Sequence, residues 1–165
     1  MKRDYFIMGF LVLLAMLATY YIYINPLKFQ NPMKFQKPMN IDYQNAVITI
    51  RRGMCFGTCP DYTLTIHGDG KIEWDGRLYV YPTGFRRAKI NPDDVKELVD
   101  EFYRIGYFDM KDEYTADITD LPHTMTSIFV NGQTKQVIDY YGAPQELRQL
   151  ETMIDDVGGA VNWIQ

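Results

Sequence analysis

One stretch near the N-terminus constrains this chain more than any other feature. Residues 5–24 read YFIMGFLVLLAMLATYYIYI and contain no charged side chain. Because an α-helix rises about 1.5 Å per residue, such a stretch spans about 30 Å, the thickness of the bilayer hydrocarbon core. Tyr20, Tyr21 and Tyr23 lie near one end, as aromatic side chains do at membrane interfaces. The sequence therefore predicts one transmembrane helix that contacts membrane lipid through residues 5–24.

A cleaved signal peptide is the main alternative for this stretch. Its apolar core would run for about 7–15 residues and end before small residues at a cleavage site. Here the apolar run is longer, and Ala15 and Ala18 lie inside it without an A-x-A pattern. No cysteine follows the run, so a lipoprotein anchor is excluded, and a buried core helix would show a polar face. We therefore expect an uncleaved signal anchor.

Basic residues flank the predicted span on both sides, two before it and three within residues 28–37. The positive-inside rule alone does not orient such a span, but the basic residues before it are the nearest and the tail is very short. We expect residues 1–4 to be a short cytoplasmic tail. We therefore expect a single-pass membrane protein with its C-terminal domain on the extracytoplasmic side.

A Pro- and Lys-rich stalk is expected over residues 25–40. KFQNPM is followed directly by KFQKPM, and Pro26, Pro32 and Pro38 recur every six residues. Each proline fixes φ and lacks a backbone donor, so an extended spacer is expected rather than a continuous helix.

The remaining residues, 41–165, are acidic. The first 40 residues hold five Lys or Arg and one acid, which leaves 12 basic and 20 acidic residues, a net charge of −8. A nucleic-acid-binding domain usually carries a basic surface, so we expect no nucleic-acid partner. Two cysteines are too few for a disulfide-rich mini-protein or for a four-cysteine zinc site.

Residue patterns predict strands first and then alternating helices and a hairpin. β-Branched and alternating residues predict strands over 46–52, 62–67, 71–74, 77–81 and 86–90, with turns at Asp69-Gly70 and Asp75-Gly76. Asn131-Gly132 predicts a hairpin between strands at 124–130 and 133–140.

Two helices are predicted in the same domain. Asn91-Pro92 opens one with an inward face of Val95, Leu98, Val99 and Phe102, ended by Gly106. Pro144 opens the other, with Leu147, Leu150, Ile154 and Val157 inward, and Gly158-Gly159 closes it. The predicted fold is α+β: an antiparallel sheet of a meander plus a hairpin, with two or three helices on one face, preceded by the N-terminal transmembrane helix.

The two cysteines, Cys55 and Cys59, lie in a turn with a glycine between them and a proline after them. Such a turn can bring the Cα atoms within disulfide range, and an oxidising compartment would preserve the bond, so we expect a structural disulfide. Three alternatives stay open: a thiol-redox pair, a zinc site with His67 and His123, and a reduced buried pair.

Four stretches carry a resemblance to a known family: RRGMCFGTCPDY, TLTIHGDGKIEWDG, TDLP and DYYGAPQELRQLETMID. Residues 46–163 resemble a family of uncharacterised bacterial domains marked by a CFGTCP-type turn. The resemblance implies a domain placed behind an export signal or membrane anchor. It implies no reaction, because no activity is assigned to such domains.

The loop over residues 114–123 is the best candidate binding site in the sequence. We select Asp117, Thr119, Asp120 and His123, because two acids, a hydroxyl and an imidazole lie together in a loop. A turn held by side-chain hydrogen bonds is the simpler alternative. We expect no catalytic residue, no metal and no cofactor.

These observations favour a non-enzymatic binding or interaction domain that is held at the bacterial inner membrane and faces the envelope. Its expected partner, besides lipid, is an envelope protein or a glycan. The alternatives are an envelope hydrolase that uses the 117–123 loop and a thiol-redox accessory protein that uses Cys55 and Cys59.

Overall fold

The computed structural model describes residues 14–17, 19–20, 37–53, 55–117 and 121–159, and the chain divides into two compact units, residues 1–34 and 35–165. In the first unit, residues 14–17 and 19–20 are helical, and their side chains are exposed. The other residues of the predicted span 5–24, and most of the predicted stalk, lie outside the described part. Within the described residues, no helix has both the length and the apolar character needed to cross a membrane.

The second unit contains a seven-stranded sheet with the order β4-β3-β2-β1-β6-β7-β5. All neighbouring strands are antiparallel except β5 and β7, which are parallel. The strands are β1 (Val47–Arg52), β2 (Asp61–His67), β3 (Lys71–Leu78), β4 (Gly84–Lys89), β5 (Glu113–Tyr114), β6 (Thr124–Val130) and β7 (Gln133–Asp139). The predicted meander is β1 to β4, and the predicted hairpin is β6 and β7, so the α+β prediction is confirmed.

Three helical segments accompany the sheet: α1 (Pro92–Arg104), a 3-10 helix (Tyr107–Asp109) and α2 (Gln145–Val157). The α1 helix begins as predicted, because the Asn91 side chain accepts a hydrogen bond from the amide of Asp93. Gly106 follows its end with a φ of 71°, a left-handed conformation that glycine adopts without steric cost.

The core lies between one face of the sheet and the inward faces of the helices. Burial alternates along the central strands, so Ile48 and Ile50 of β1 face the core while their neighbours do not. Leu98 and Phe102 of α1 and Leu150 of α2 are fully buried in the same cluster. The strands and helices thus form two layers, as the apolar patterns predicted.

One predicted turn is wrong. Asp75-Gly76 was expected to separate two strands, but β3 runs through both residues to Leu78, and the chain reverses after it. A Cβ atom at position 76 would lie 2.6 Å from the carbonyl oxygen of Pro82. Gly76 is therefore explained by close backbone packing within a strand, and not by a turn.

The two ends of the sheet differ in what they carry. The chain enters this unit beside the hairpin turn between β6 and β7, where the Asn131 amide group donates to the carbonyl of Asn40 and accepts from the amide of Asp42. The opposite end of the sheet holds the last residues of β1, β3 and β7 and the first residues of β2, β4 and β6. We call it the distal end.

Candidate binding cleft

A row of polar side chains crosses four neighbouring strands at the distal end. Tyr62 of β2 pairs with Arg52 of β1, Arg52 pairs with Thr124 of β6, and Thr124 pairs with Asp139 of β7. Side chains of directly paired residues in antiparallel strands lie on the same face of a sheet. The four side chains therefore share the face that carries the helices, and the apolar core ends at this row.

The α2 helix places a second polar row above the first. Arg148, Glu151 and Asp155 are spaced by three and four residues, so they lie along one side of the helix. Glu151 and Asp155 are buried, whereas Arg148 is more exposed. The helix thus contributes a charged stripe next to the apolar residues that hold it on the sheet.

Arg52 connects the two rows. Its Nη2 lies 2.6 Å from Oδ2 of Asp155, its Nε donates to the same oxygen, and its Nη1 donates to Thr124 at 2.8 Å. Nη1 also lies 3.6 Å from Oε2 of Glu151. Burial alone would lower the pKa of Arg52, but the interactions with Asp155, Tyr62 and Glu151 together outweigh burial and raise the pKa above its usual range. Arg52 therefore stays charged and fixes both carboxyl groups.

Tyr62 joins this network to the core. Its hydroxyl donates to Oδ1 of Asp155 at 2.7 Å, and its ring stacks on Trp74 with centroids 4.4 Å apart. Burial, together with the Asp155 carboxylate, raises the pKa of Tyr62 above its usual range, so the hydroxyl keeps its proton and donates. Asp155 thus accepts hydrogen bonds through both oxygens.

Glu151 is the least exposed carboxyl group of the network, at 2%. Its Oε1 accepts a hydrogen bond from the hydroxyl of Thr126 at 3.2 Å. Burial raises the pKa of Glu151 to about 7, with Asp139 adding to the rise and Arg52 opposing it. Near neutral pH the side chain is therefore divided between a neutral acid and a carboxylate.

A cleft of about 450 Å³ opens above the two rows. Its walls come from the ends of β1, β6 and β7, from α2 and from the chain before β6. The lining residues are Arg52, Leu121, Pro122, Thr124, Asp139, Tyr140, Tyr141, Arg148, Glu151 and Thr152. The cleft combines hydrogen-bond donors, acceptors and two tyrosines, with Leu121 and Pro122 as its aliphatic members, so its lining is more polar than that of most small-molecule sites.

The predicted disulfide is confirmed: Cys55 is bonded to Cys59, with the Cα atoms 5.6 Å apart. The bond closes the turn between β1 and β2 at the distal end. Both sulfurs are used by this bond, so they do not ligate zinc. In the described residues, no group of three His, Cys, Asp or Glu side chains is arranged to hold a metal ion.

The loop selected from the sequence is described only in part. Thr119 and Asp120 lie outside the described residues, and Asp117 is exposed. The ring of His123 lies against Gly53, where a Cβ atom would come within 2.4 Å of Cε1. Because side chains alternate along an extended chain, His123 faces away from the side that Thr124 occupies, and it is not among the residues that line the cleft.

Exposed aromatic side chains also gather at the distal end. Phe56, inside the disulfide-closed turn, is 90% exposed. Tyr79, Tyr81 and Phe85 surround the reversal between β3 and β4, and Tyr141 borders the cleft; all four are exposed by half or more. Exposed aromatic side chains are typical of binding surfaces, so these residues and the cleft mark the same end of the domain.

A family model covers residues 46–158, from the first strand to the end of α2. It describes a domain of unknown function, DUF6438. This chain belongs to that family. The resemblance to an uncharacterised domain family is thus confirmed, while the bacterial source and the CFGTCP-type turn as its mark stay predictions. A comparison with curated proteins returns no match.

Sequence reasoning missed the charged residues that build the cleft in this DUF6438 domain. The signal was present, because Glu151 and Asp155 follow Leu147 by four and eight residues and so fall on the buried stripe of α2. Arg52 likewise lies two residues after Ile50 on β1, so its side chain is on the same core-facing side of the strand as those of Ile48 and Ile50. A charged residue at a core position requires a partner of opposite charge. Arg52 is that partner for both Glu151 and Asp155.

Proposed function

We propose that this protein is a membrane-anchored, extracytoplasmic binding domain, and that its distal cleft holds a saccharide of the cell envelope. The observation that carries the proposal is the cleft itself, where paired charges, hydroxyls and tyrosines converge on one concave surface. The cleft and the exposed aromatics lie at the end of the sheet away from residues 40–42, where the chain enters.

Charge balance favours a ligand without net charge. Arg148 is paired with Asp139 at 3.2 Å, and Arg52 is paired with Asp155. Glu151 adds little negative charge below its raised pKa. A cleft in which positive and negative groups cancel does not select an anion or a cation strongly.

The same groups suit a hydroxyl-rich ligand. Arginine side chains only donate hydrogen bonds, and ionised carboxylates only accept them. The arginines can therefore bind the oxygen lone pairs of sugar hydroxyls, and the carboxylates can bind the hydroxyl protons. Tyr140 and Tyr141 supply aromatic surface for the apolar face of a pyranose ring. An aliphatic ligand would displace water from the remaining hydrogen-bonding positions of these groups without replacing it, which costs free energy.

The membrane location rests on the sequence, through the uncharged run at residues 5–24. The disulfide supports an extracytoplasmic domain, because such bonds persist in oxidising compartments and are rare in the cytosol. Labelling of thiols in intact and then permeabilised cells, before and after reduction, tests both points together. Free thiols reached only after permeabilisation would place the domain in the cytoplasm.

Saccharide binding is tested with the full chain in neutral detergent micelles, by calorimetric titration with oligosaccharides of N-acetylglucosamine and of glucose. We expect binding of at least one probe and at least a tenfold loss in Tyr141→Ala. Tyr79→Ala is the matched control, because the two tyrosines are almost equally exposed, 51% and 52%, and Tyr79 does not line the cleft. Equal losses of saccharide affinity in the two variants, or no binding of any probe by the wild type, would refute the proposal.

A hydrolase is the second candidate, and Glu151 is the observation that favours it. A buried carboxylic acid with a pKa of about 7 can donate a proton to a leaving group, while Asp139 remains close by. Release of new reducing ends from the same oligosaccharides, abolished in Glu151→Gln, would replace binding by hydrolysis as the function of this cleft.

A further inference from the structure

Within the part of the chain that the structure describes, one edge of the sheet is open along its whole length. Among the described strands, β4 pairs with β3 alone, and all six of its residues, Gly84–Lys89, are exposed. An edge strand carries a row of backbone N–H and C=O groups that point away from the sheet and can pair with another strand. β4 therefore has the backbone chemistry needed to accept one more strand.

The side chains of this edge are basic in an otherwise acidic domain. Arg86, Arg87 and Lys89 lie within six residues, whereas residues 41–165 together hold 12 basic and 20 acidic side chains. Nε of Arg87 lies 3.5 Å from Oε1 of Glu73, and the Arg87 guanidinium lies over the ring of Phe85. Within the described residues, Arg86 and Lys89 form no ion pair. Positive charge is thus concentrated on β4, which is an edge strand with β3 as its single neighbour among the described strands.

We propose that β4 binds an extended, acidic peptide segment of a partner protein as an eighth strand of the sheet. Strand addition to an open edge provides main-chain hydrogen bonds, and side chains next to them set specificity. Arg86 and Arg87 are consecutive, so they lie on opposite faces of the sheet, and an added strand would meet a cation on each face. Phe85 and Tyr81 offer an apolar contact at the distal end of the same edge.

A second copy of this chain is a poorer occupant of the same edge. Pairing of two β4 strands would bring arginines and lysines of both copies together, and like charges on neighbouring strands destabilise a sheet. The basic residues therefore disfavour self-association and favour an acidic strand.

The test uses the full chain in phosphatidylcholine nanodiscs. The probe is a blocked, fluorescent eight-residue peptide in which Glu-Glu and Val-Val pairs alternate, so that glutamates lie on both faces of the added strand. Two companion peptides replace every Glu by Lys or place a proline at the fourth position. We expect the Glu peptide to bind at least tenfold more tightly than either companion and to slow hydrogen exchange of the amides of residues 84–89.

Two matched triple variants separate this edge from general charge. Arg86→Gln/Arg87→Gln/Lys89→Gln removes three exposed cations from β4, and we expect at least a tenfold loss of peptide affinity. Lys96→Gln/Arg104→Gln/Lys111→Gln removes three exposed cations elsewhere and should leave the affinity within twofold. Unchanged circular dichroism of both variants shows that the fold is kept, and binding of N-acetylglucosamine oligosaccharides by each variant reports the cleft separately.

Four results would overturn the proposal. The first is equal binding of the proline peptide, which indicates charge attraction without strand pairing. The second is an equal loss of peptide affinity in the two triple variants. The third is slower exchange of residues 84–89 in phosphatidylglycerol nanodiscs without peptide, which assigns the edge to anionic lipid. The fourth is a dimer in sedimentation that the β4 variant abolishes, which assigns the edge to a second copy.

Discussion

The two long helices of this domain have 13 residues each but are held on the sheet in different ways. The buried residues of α1 are all aliphatic or aromatic: Val95, Leu98, Val99, Phe102 and Tyr103. The buried residues of α2 include two acids, Glu151 and Asp155, alongside Leu147, Leu150 and Ile154. The first helix is held by apolar packing, and the second is held in part by a network of charges.

The difference separates stability from recognition. Apolar burial lowers the free energy of the folded state without leaving groups for a ligand. A buried ion-pair network contributes less to stability, because desolvation offsets the attraction between its charges, but it fixes polar groups in defined positions. The candidate cleft lies over α2 and the polar row, where the network reaches the surface. The following predictions test this division, and all are measured by urea unfolding of the full chain.

The largest effect is expected from Phe102→Ala in α1. Phe102 is fully buried and packs edge-on against Tyr107 with centroids 4.7 Å apart. Truncation loses transfer free energy and leaves a cavity, so the unfolding free energy should fall by about 4 kcal/mol. Glu97→Ala, on the exposed side of the same helix, should change it by less than about 0.5 kcal/mol. A loss below 1 kcal/mol in the phenylalanine variant would mean that α1 is not the main apolar contact.

A smaller loss, about 3 kcal/mol, is expected from Arg52→Met. Removing one member of a buried ion pair leaves its partner as an uncompensated buried charge, and here that partner is Asp155. Arg51→Met is the control, because Arg51 is the exposed neighbour on the same strand. Adding Asp155→Asn to Arg52→Met should recover part of the loss. No recovery would show that Arg52 acts through packing rather than through charge.

Glu151→Gln should change the pH dependence of stability. Because the folded pKa of Glu151, about 7, lies above its ordinary value of 4.5, the folded state binds more protons between these pH values. The contribution of Glu151 is therefore fully present below pH 4.5 and is lost as the pH rises to 7. Relative to the wild type, the glutamine variant should gain about 2 kcal/mol between pH 5 and 8. Parallel pH curves for the two proteins would contradict a buried, titrating Glu151.

The smallest effect concerns the helix N-termini. The Asn91 side chain caps α1, whereas Pro144 provides no side-chain cap for α2. Asn91→Ala should cost about 1 kcal/mol, because an amide of the first turn loses its acceptor. Gln145→Ala, at the start of α2, should leave stability nearly unchanged. Equal losses in the two variants would remove this difference between the helices.

Local patterns of the sequence predicted most elements of the fold. Asn91-Pro92 placed the start of α1, Asn131-Gly132 placed the β6–β7 turn, and alternation placed the central strands. These signals depend on neighbouring residues only. The turn at Asp75-Gly76 was wrong, because the reason for a glycine there is a contact with Pro82 that no local pattern shows. The short strand β5 was missed, because its two residues pair in parallel with a distant strand.

The candidate site was harder to predict than the fold. The selected loop over Asp117 to His123 was chosen by residue type, whereas the cleft brings together Arg52 and Glu151, which are about 100 residues apart in the chain. Pairing across such a separation depends on strand order and on the position of α2 over the sheet. Spacing within a short motif carries no information about either.

The sequence by itself determined the uncharged run at residues 5–24, the acidic character of the C-terminal part and the class of its elements, because charge, hydropathy and turn chemistry act over a few residues. The tertiary structure alone decided that Arg52 meets Asp155 and Glu151 beneath α2. It also decided that β4 stays at an open edge with its three cations. Both depend on which strands become neighbours, and that is set by the packing of the whole core rather than by any one segment.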